Sequence, residues 1–478
     1  DQGLVRRDWL EQHCQEPQAL LAGLGSLDLN QIAQATHVPA EAMAEAARFY
    51  GQAERGAIAY ALDNIPPSLQ RQCVQALVAL ALVTGNLGKP GSGLYPMRQG
   101  ANEQGAWDVG CLPDRLPGYR KVDDEAARRE VEALWGCTLP ARPGLGVGAV
   151  RQGRIKAMVV IGDLVAATDA SPLQGGQGDG LAALEALEFL VVMDTFLSPL
   201  AQRAEVVLPR ATFAEKDGTY TNLERRIQRL RPAVQLKNSQ AQPEGWALCQ
   251  LARRMQAVGF DHSTAAEVMD EIARVTPIYG GVSYQRLEEE AALTLRSGLE
   301  SPKPTQLLYA SKEYRGIQWP CPAPGAPGTP ILYADGFPQG KAAPIISQLQ
   351  EPETPANPAY PAWLVPGRVL LQPEREAQVV KGKANRIVRD EVVQLNPADA
   401  ARWSIGDGDG VEVSTPTSRL TGSARLDDAI PPGVISRTTL FGQLAVELQA
   451  SQEMDPMAKA PGLDILPARV AKAPLEAA

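Results

Sequence analysis

Apolar and polar positions divide the chain into three regimes. The first ninety residues read as helical. In PAEAMAEAARFYGQ (39–52) a proline stands at the first turn and alanines follow throughout. SLQRQCVQALVALALVTGNLG opens on Ser68 as an N-cap and stops at Gly85-Asn86, a pairing that punctuates a helix. Its apolar core, 73–83, falls well short of the ~20 residues that span a bilayer, so a buried helix is expected. Between these helices GAIAYALD (56–63) is apolar without helical period, which predicts a buried strand.

Further on the pattern alternates between strand and helix. RIKAMVVIGD (154–163) predicts a buried strand ending in Gly-Asp. LAALEALEFLVVMDTFLS predicts a helix and then a strand over 189–193 that ends in Asp194-Thr195, and AEVVLP (204–209) a third strand. Strands that end in Gly, Asp or Thr suit a parallel sheet, which binds ligands beyond its carboxyl edge. This is a nucleotide-cradling arrangement without G-x-G-x-x-G.

Residues 316–367 hold twelve prolines and read as a crossing segment without regular structure. Beyond it, VVQLNP, GDGDGVEVSTP and RLTGSARLDD are short strands with turn chemistry. NPADAARW is a small helix capped by Asn396, so 368–470 predicts a compact β-barrel. The division that results is 1–97, the remainder of an α/β nucleotide-binding-like domain; 98–315, an α/β domain; 316–367, the crossing; and 368–478, the barrel.

Composition narrows the chemistry. A chain of 478 residues calls for about three cores. Its net charge of −9 argues against a nucleic-acid surface. The cysteines, at 14, 73, 111, 137, 249 and 321, form no C-x-x-C pair, so zinc and iron–sulfur sites lack their usual support, and scattered thiols suit a reducing, cytoplasmic setting. His13-Cys14 looks like half a metal site with no partner nearby. Residue 1 is Asp and no charged-then-apolar leader follows it.

One stretch resists a packing explanation. RQGANEQGAWDVG (98–110) carries one arginine, three side-chain amides and three glycines, with hardly any aliphatic side chain. Such a loop suits donors around a polar ligand.

From the second strand onward the residues become specific. The block from 191 to 234, with KDGTYTN intact, resembles the molybdopterin oxidoreductases. It is nearest to formate dehydrogenase catalytic subunits and to the large iron–sulfur subunit of bacterial NADH:quinone oxidoreductase. The 98–110 loop with its CLPDRLPGY extension, GIQWPCP, GTPILY, NPADAARWSIGDGDGVEV and MDPMAKAPGLDILPARV resemble the same family, so the likeness covers nearly the whole chain. The resemblance implies a layered, parallel-sheet α/β body followed by a C-terminal double-psi β-barrel. Two pterin guanine dinucleotides sit between them, holding molybdenum or tungsten in active members.

On that likeness the cofactor-binding residues are Gln99, Asn102, Gly162, Asp194, Thr195, Gly218, Asn222, Glu224 and Arg225. Gly162 and Gly218 would let backbone approach a phosphate, Asp194 and Asn222 would read guanine or ribose edges, and Glu224-Arg225-Arg226 supplies charge for a diphosphate. A helix cap or turn is the alternative for Asp194 and Asn222. Arg98 stands where formate dehydrogenases orient the substrate carboxylate, a task that suits a guanidinium fork; pairing with Glu103 is its alternative.

Several family motifs are altered. The four-cysteine iron–sulfur motif, the metal-ligating cysteine or selenocysteine and the nearby lysine are expected upstream of Asp1, so the sequence names no metal ligand and iron–sulfur clusters are expected only there. Gly162-Asp163-Leu164-Val165 replaces Gly-Glu-Asn-Pro, and Glu447-Leu448-Gln449-Ala450 replaces Asn-Leu-Leu-Thr. GAIAYALDNIPP lacks the Gly and Thr-Gln-His segment, and GRVLLQPEREAQVVKGKANRIV lacks its aromatic, histidine and basic pair. These losses favour a respiratory-complex scaffold, like the large subunit of NADH:quinone oxidoreductase, with a degenerate pterin site beside iron–sulfur electron transfer. A formate dehydrogenase catalytic α-subunit and a non-catalytic interaction subunit are the alternatives. The partners implied are other subunits of a redox complex, through which the protein would lie peripheral to the cytoplasmic membrane.

Overall fold

The computed structural model describes residues 3–36, 38–62, 67–97, 100–145, 149, 153–162, 184, 187–288, 317–344, 358–368, 392–416, 419–439 and 465–473. Four helices open the chain: α1 (Arg7–His13), α2 (Pro17–Gly25), α3 (Leu29–Thr36) and α4 (Ala40–Gln52). β1 (Ala57–Tyr60) leads to α5 (Pro67–Val83), and β2 (Gly93–Pro96) pairs in parallel with β1. α5 begins at Pro67, a residue before the expected cap, because the fixed φ of proline suits a first helical turn. It stops as expected: Gly85 adopts φ +62°, and the Asn86 amide donates back to Ala81 O at 2.9 Å. The Asn86 carboxamide then accepts the Gly56 amide at 3.0 Å and pins the helix end to the start of β1. β1 is less buried than its apolar run predicts. Only Tyr60 is enclosed, because the described residues cover one face of this two-stranded sheet.

Residues 100–110 hold a short helix, α6 (Glu103–Asp108), followed by the small hairpin β3 (Arg115–Leu116) and β4 (Arg120–Lys121), then α7 (Glu125–Trp135). The alternating regime yields β5 (Ala157–Ile161), β6 (Phe189–Asp194), α8 (Pro199–Gln202) and β7 (Val206–Pro209). The three strands form the expected parallel sheet in the order β5-β6-β7. Val160, Leu190 and Val192 on one face pack with Leu200 and Ala201. The other face leaves Val159, Ile161 and Phe189 exposed, so β5 is buried on one side only. The helix expected before β6 lies outside the described residues, Leu184 apart.

β8 (Gly218–Thr221) and β9 (Arg226–Leu230) form an antiparallel hairpin. α9 (Glu244–Arg254) and α10 (Ala265–Val275) follow, α10 opening on a capping box between Thr264 and Glu267. β10 (Ile317–Gln318) adds to β9 beneath a core of Ile227, Met269, Tyr279, Val282 and Cys321. The proline-rich stretch is therefore not free of regular structure, because β10 lies near its start and a barrel strand at its end.

That barrel strand is β11 (Ala362–Arg368). It joins β12 (Val392–Leu395), β13 (Gly410–Ser414), β14 (Arg419–Leu426), β15 (Val434–Thr439) and β16 (Leu466–Lys472) in a closed six-stranded barrel, ordered β11-β15-β12-β14-β13-β16. Alternate apolar residues, Ala362 and Leu364, Val393 and Leu395, Val411 and Val413, fill one core. Between β12 and β13, α11 (Pro397–Arg402) is capped by Asn396 as expected, its side chain accepting the Ala398 amide at 2.8 Å.

Candidate functional site

The carboxyl edge of the parallel sheet gathers polar groups. Gly162 follows β5 at φ +90°, its amide donating to Met193 O at 2.8 Å. Asp194, 3% exposed, closes β6 and accepts the Thr195 amide at 2.6 Å; the Thr195 hydroxyl donates to Arg210 O at 3.3 Å. Beyond β7, Arg210 Nη1 and Lys216 Nζ both approach Glu244 Oε1, at 3.5 and 2.5 Å. Arg210 Nε is buried without a hydrogen-bond partner among the described residues. An arginine fork with an unused donor, a lysine sharing its counter-charge and a left-handed glycine together suit an anionic oxygen.

A second group surrounds the β8–β9 turn. Asn222 Oδ1 accepts the amides of Glu224 and Arg226, at 2.9 and 3.0 Å, as an Asx turn does. Glu224 pairs with Arg226 at 3.3 Å and lends its carbonyl to Gln318. Arg225 stands at φ +64° with its guanidinium over the Trp319 ring and donates to the carbonyls of Trp319 and Thr329. Burial holds its pKa below the ordinary arginine value, against the pull of Tyr333, Tyr95, Asp108 and Glu224. Asn102, just before α6, accepts the Thr221 amide at 2.8 Å and so joins the 98–110 loop to this hairpin. Gly105 permits the approach: a Cβ there would overlap Asn102 Oδ1.

Beneath lies Asp108, wholly buried. It accepts from Gln104 Nε2 at 2.8 Å, Tyr119 OH at 2.6 Å and Tyr279 OH at 2.8 Å. Burial raises its carboxyl pKa, opposed by those donors, and burial pushes the Tyr279 hydroxyl well above its ordinary value.

Of the residues named from sequence, Gly162, Asp194 and Thr195 come together at the sheet edge, and Asn102, Asn222, Glu224 and Arg225 around the hairpin. Gly218 opens β8 outside the positive-φ region, where an added Cβ would meet only Leu230 at 3.9 Å. Arg98 and Gln99 lie outside the described residues. Sequence reading missed Arg210, Lys216, Glu244, Asp108 and Tyr279. Lys216 and Asp108 sit inside quoted stretches and were within reach, whereas nothing local marks Glu244. His13 stacks on Trp9 and bonds its carbonyl at 2.8 Å. Among the described residues no group of three or more His, Cys, Asp or Glu is placed to hold a metal, and no helix is long and apolar enough to cross a membrane.

The chain matches two family models: molybdopterin oxidoreductase over residues 8–254 and molydopterin dinucleotide binding domain over 363–467. The chain belongs to the molybdopterin oxidoreductase family. It is similar to the F420-dependent formate dehydrogenase 2 subunit alpha of Methanococcus maripaludis, 32% identical over 98% of this chain and 66% of that protein. The F420-dependent formate dehydrogenase subunit alpha of Methanocaldococcus jannaschii is 31% identical over 91% of this chain and 60% of its own length. The assimilatory nitrate reductase catalytic subunit of Bacillus subtilis is 27% identical over 98% and 64%. The chain thus spans 66% or less of these relatives. Acetylene hydratase from Pelobacter acetylenicus shares the fold, with a TM-score of 0.58 at 17% identity over 99% of this chain and 68% of that one.

Proposed function

We propose that the chain is the greater part of a formate dehydrogenase-type catalytic subunit that oxidises formate to CO2. The observation that carries this reading is 32% identity to a formate dehydrogenase α-subunit across 98% of the chain. The sheet-edge cluster fits a pterin guanine dinucleotide. Arg210 and Lys216 would hold its phosphates, while Asp194 and Glu244 offer carboxylates to the donor edge of guanine. Asn102 and the Asn222–Arg225 turn add a second polar wall. When bound, the pterin-held metal supplies two-electron redox chemistry. The chain's own residues bind and orient; Arg98 is proposed to align the formate carboxylate by its fork of donors. Iron–sulfur clusters upstream and other redox subunits would carry the electrons away.

The respiratory-complex scaffold stands second, favoured by the altered motifs at 162–165 and 447–450. Metal and pterin analysis of the native complex, alongside formate-dependent dye reduction, decides between them. Stoichiometric molybdenum or tungsten with pterin supports the enzyme; their absence from an active redox complex sinks it in favour of the scaffold.

A further inference from the structure

Asp108 takes no part in the ligand chemistry proposed above, yet two stretches that carry the family likeness meet at its carboxylate and a third reaches it through Tyr279. Oδ1 accepts from Gln104 on α6 and from Tyr119 in the CLPDRLPGY extension, and the Gln104 amide also donates to the Tyr119 oxygen at 2.7 Å. Oδ2 accepts from Tyr279, whose hydroxyl lies 2.7 Å from Thr221 Oγ1 in the KDGTYTN stretch. Thr221 is the last residue of β8 and immediately precedes the Asn222–Arg225 turn. Its amide is the one that Asn102 accepts. On the other side the Tyr119 ring lies 6.3 Å from that of Trp319, which underlies the Arg225 guanidinium 5.4 Å from its centroid. The start of α6 and both ends of the turn are therefore referred to one buried carboxylate.

We propose that Asp108 is a positioning residue that locks the 100–108 loop and the Asn222–Arg225 turn into one register, so that a ligand lying across both meets a preset spacing. A carboxylate accepts all three donors at once, whereas an amide keeps one acceptor oxygen and reverses the bond to Tyr279, which must then accept from it and donate to Thr221. The functional side of the proposal rests on the dinucleotide reading of the site, but the coupling does not.

The test uses the full-length protein with Asp108→Asn and, separately, Tyr279→Phe, which removes a single hydroxyl and so guards against a variant that does not fold. Amide hydrogen exchange is expected to quicken about tenfold in both the 100–110 and the 219–226 segments, with barrel segments unchanged. In the cofactor-loaded protein, pterin content stays at the wild-type level while the KM for formate rises about tenfold and kcat moves less than about twofold. Faster exchange confined to 100–110 in both variants overturns the coupling, and unaltered KM with altered exchange overturns the positioning role. If the wild type holds no pterin and turns over no formate, the proposed function fails, and the exchange measurement still decides the coupling.

Discussion

Lys216 and Arg210 converge on the same oxygen of Glu244, at 2.5 and 3.5 Å. One carboxylate oxygen shared by two cations leaves each of them donors to spare at the carboxyl edge of the parallel sheet, where Gly162 opens the backbone. The geometry gives Lys216 a place in the candidate site that the sequence did not assign it.

Lys216→Met is therefore expected to weaken retention of the pterin dinucleotide at least about tenfold, the scale of one charge-assisted hydrogen bond. Pterin fluorescence after oxidative release from the purified protein measures it. Wild-type retention would remove Lys216 from the site.

Gly105→Ala places a Cβ on top of Asn102 Oδ1 and within 3.0 Å of Thr221 Oγ1. Neither neighbour is the free end of a long side chain, so the α6–β8 junction must open, at a cost of about 1–3 kcal/mol. A thermal melt reads this as a lower Tm; an unchanged melt would mean that the junction is loose.

Leu395 is fully enclosed in the barrel core with Leu364, Val393 and Ile435. Leu395→Ala should cost about 2–5 kcal/mol, seen as a shifted denaturation midpoint with an unchanged slope.

Asp409 accepts from Lys472 at 2.8 Å and from the Gly406 amide at 2.6 Å, and the lysine first, then the amide, lowers its pKa below the ordinary 3.8. A depressed carboxyl stabilises the folded state above its unfolded pKa. That stability is lost as pH falls through the lower, folded value. The stability gap between wild type and Asp409→Asn should accordingly be full at neutral pH and close below about pH 3.8. A gap that widens on acidification would reverse the assignment.

Helix ends were legible where a cap residue stood in place, although α5 begins at Pro67 rather than on the expected Ser68 cap. The Gly85-Asn86 stop of α5 and the Asn396 cap of α11 formed as read, and the parallel sheet followed from strands ending in Gly162, Asp194 and Pro209. Burial was less legible. The runs over 56–63 and 154–163 read as buried because composition reports apolarity, whereas enclosure depends on what packs against each face. The 316–367 segment read as structureless because its prolines outweighed AWLV, whose Ala362 and Leu364 are fully buried in the barrel.

By itself the sequence determined the order of α/β body and barrel, the turns that bound their elements, and the family to which the 191–234 block points. These are local patterns of period, capping and backbone freedom, and each is written within a few neighbouring residues. Only the tertiary structure decided that Glu244 serves both Arg210 and Lys216, and that Asp108, Tyr119, Thr221 and Tyr279 share one buried network. The Lys216–Glu244 and Asp108–Tyr279 pairings span 28 and 171 residues, and no local period encodes them. They exist because folding brings a charge or a hydroxyl into an enclosure where it must find a partner.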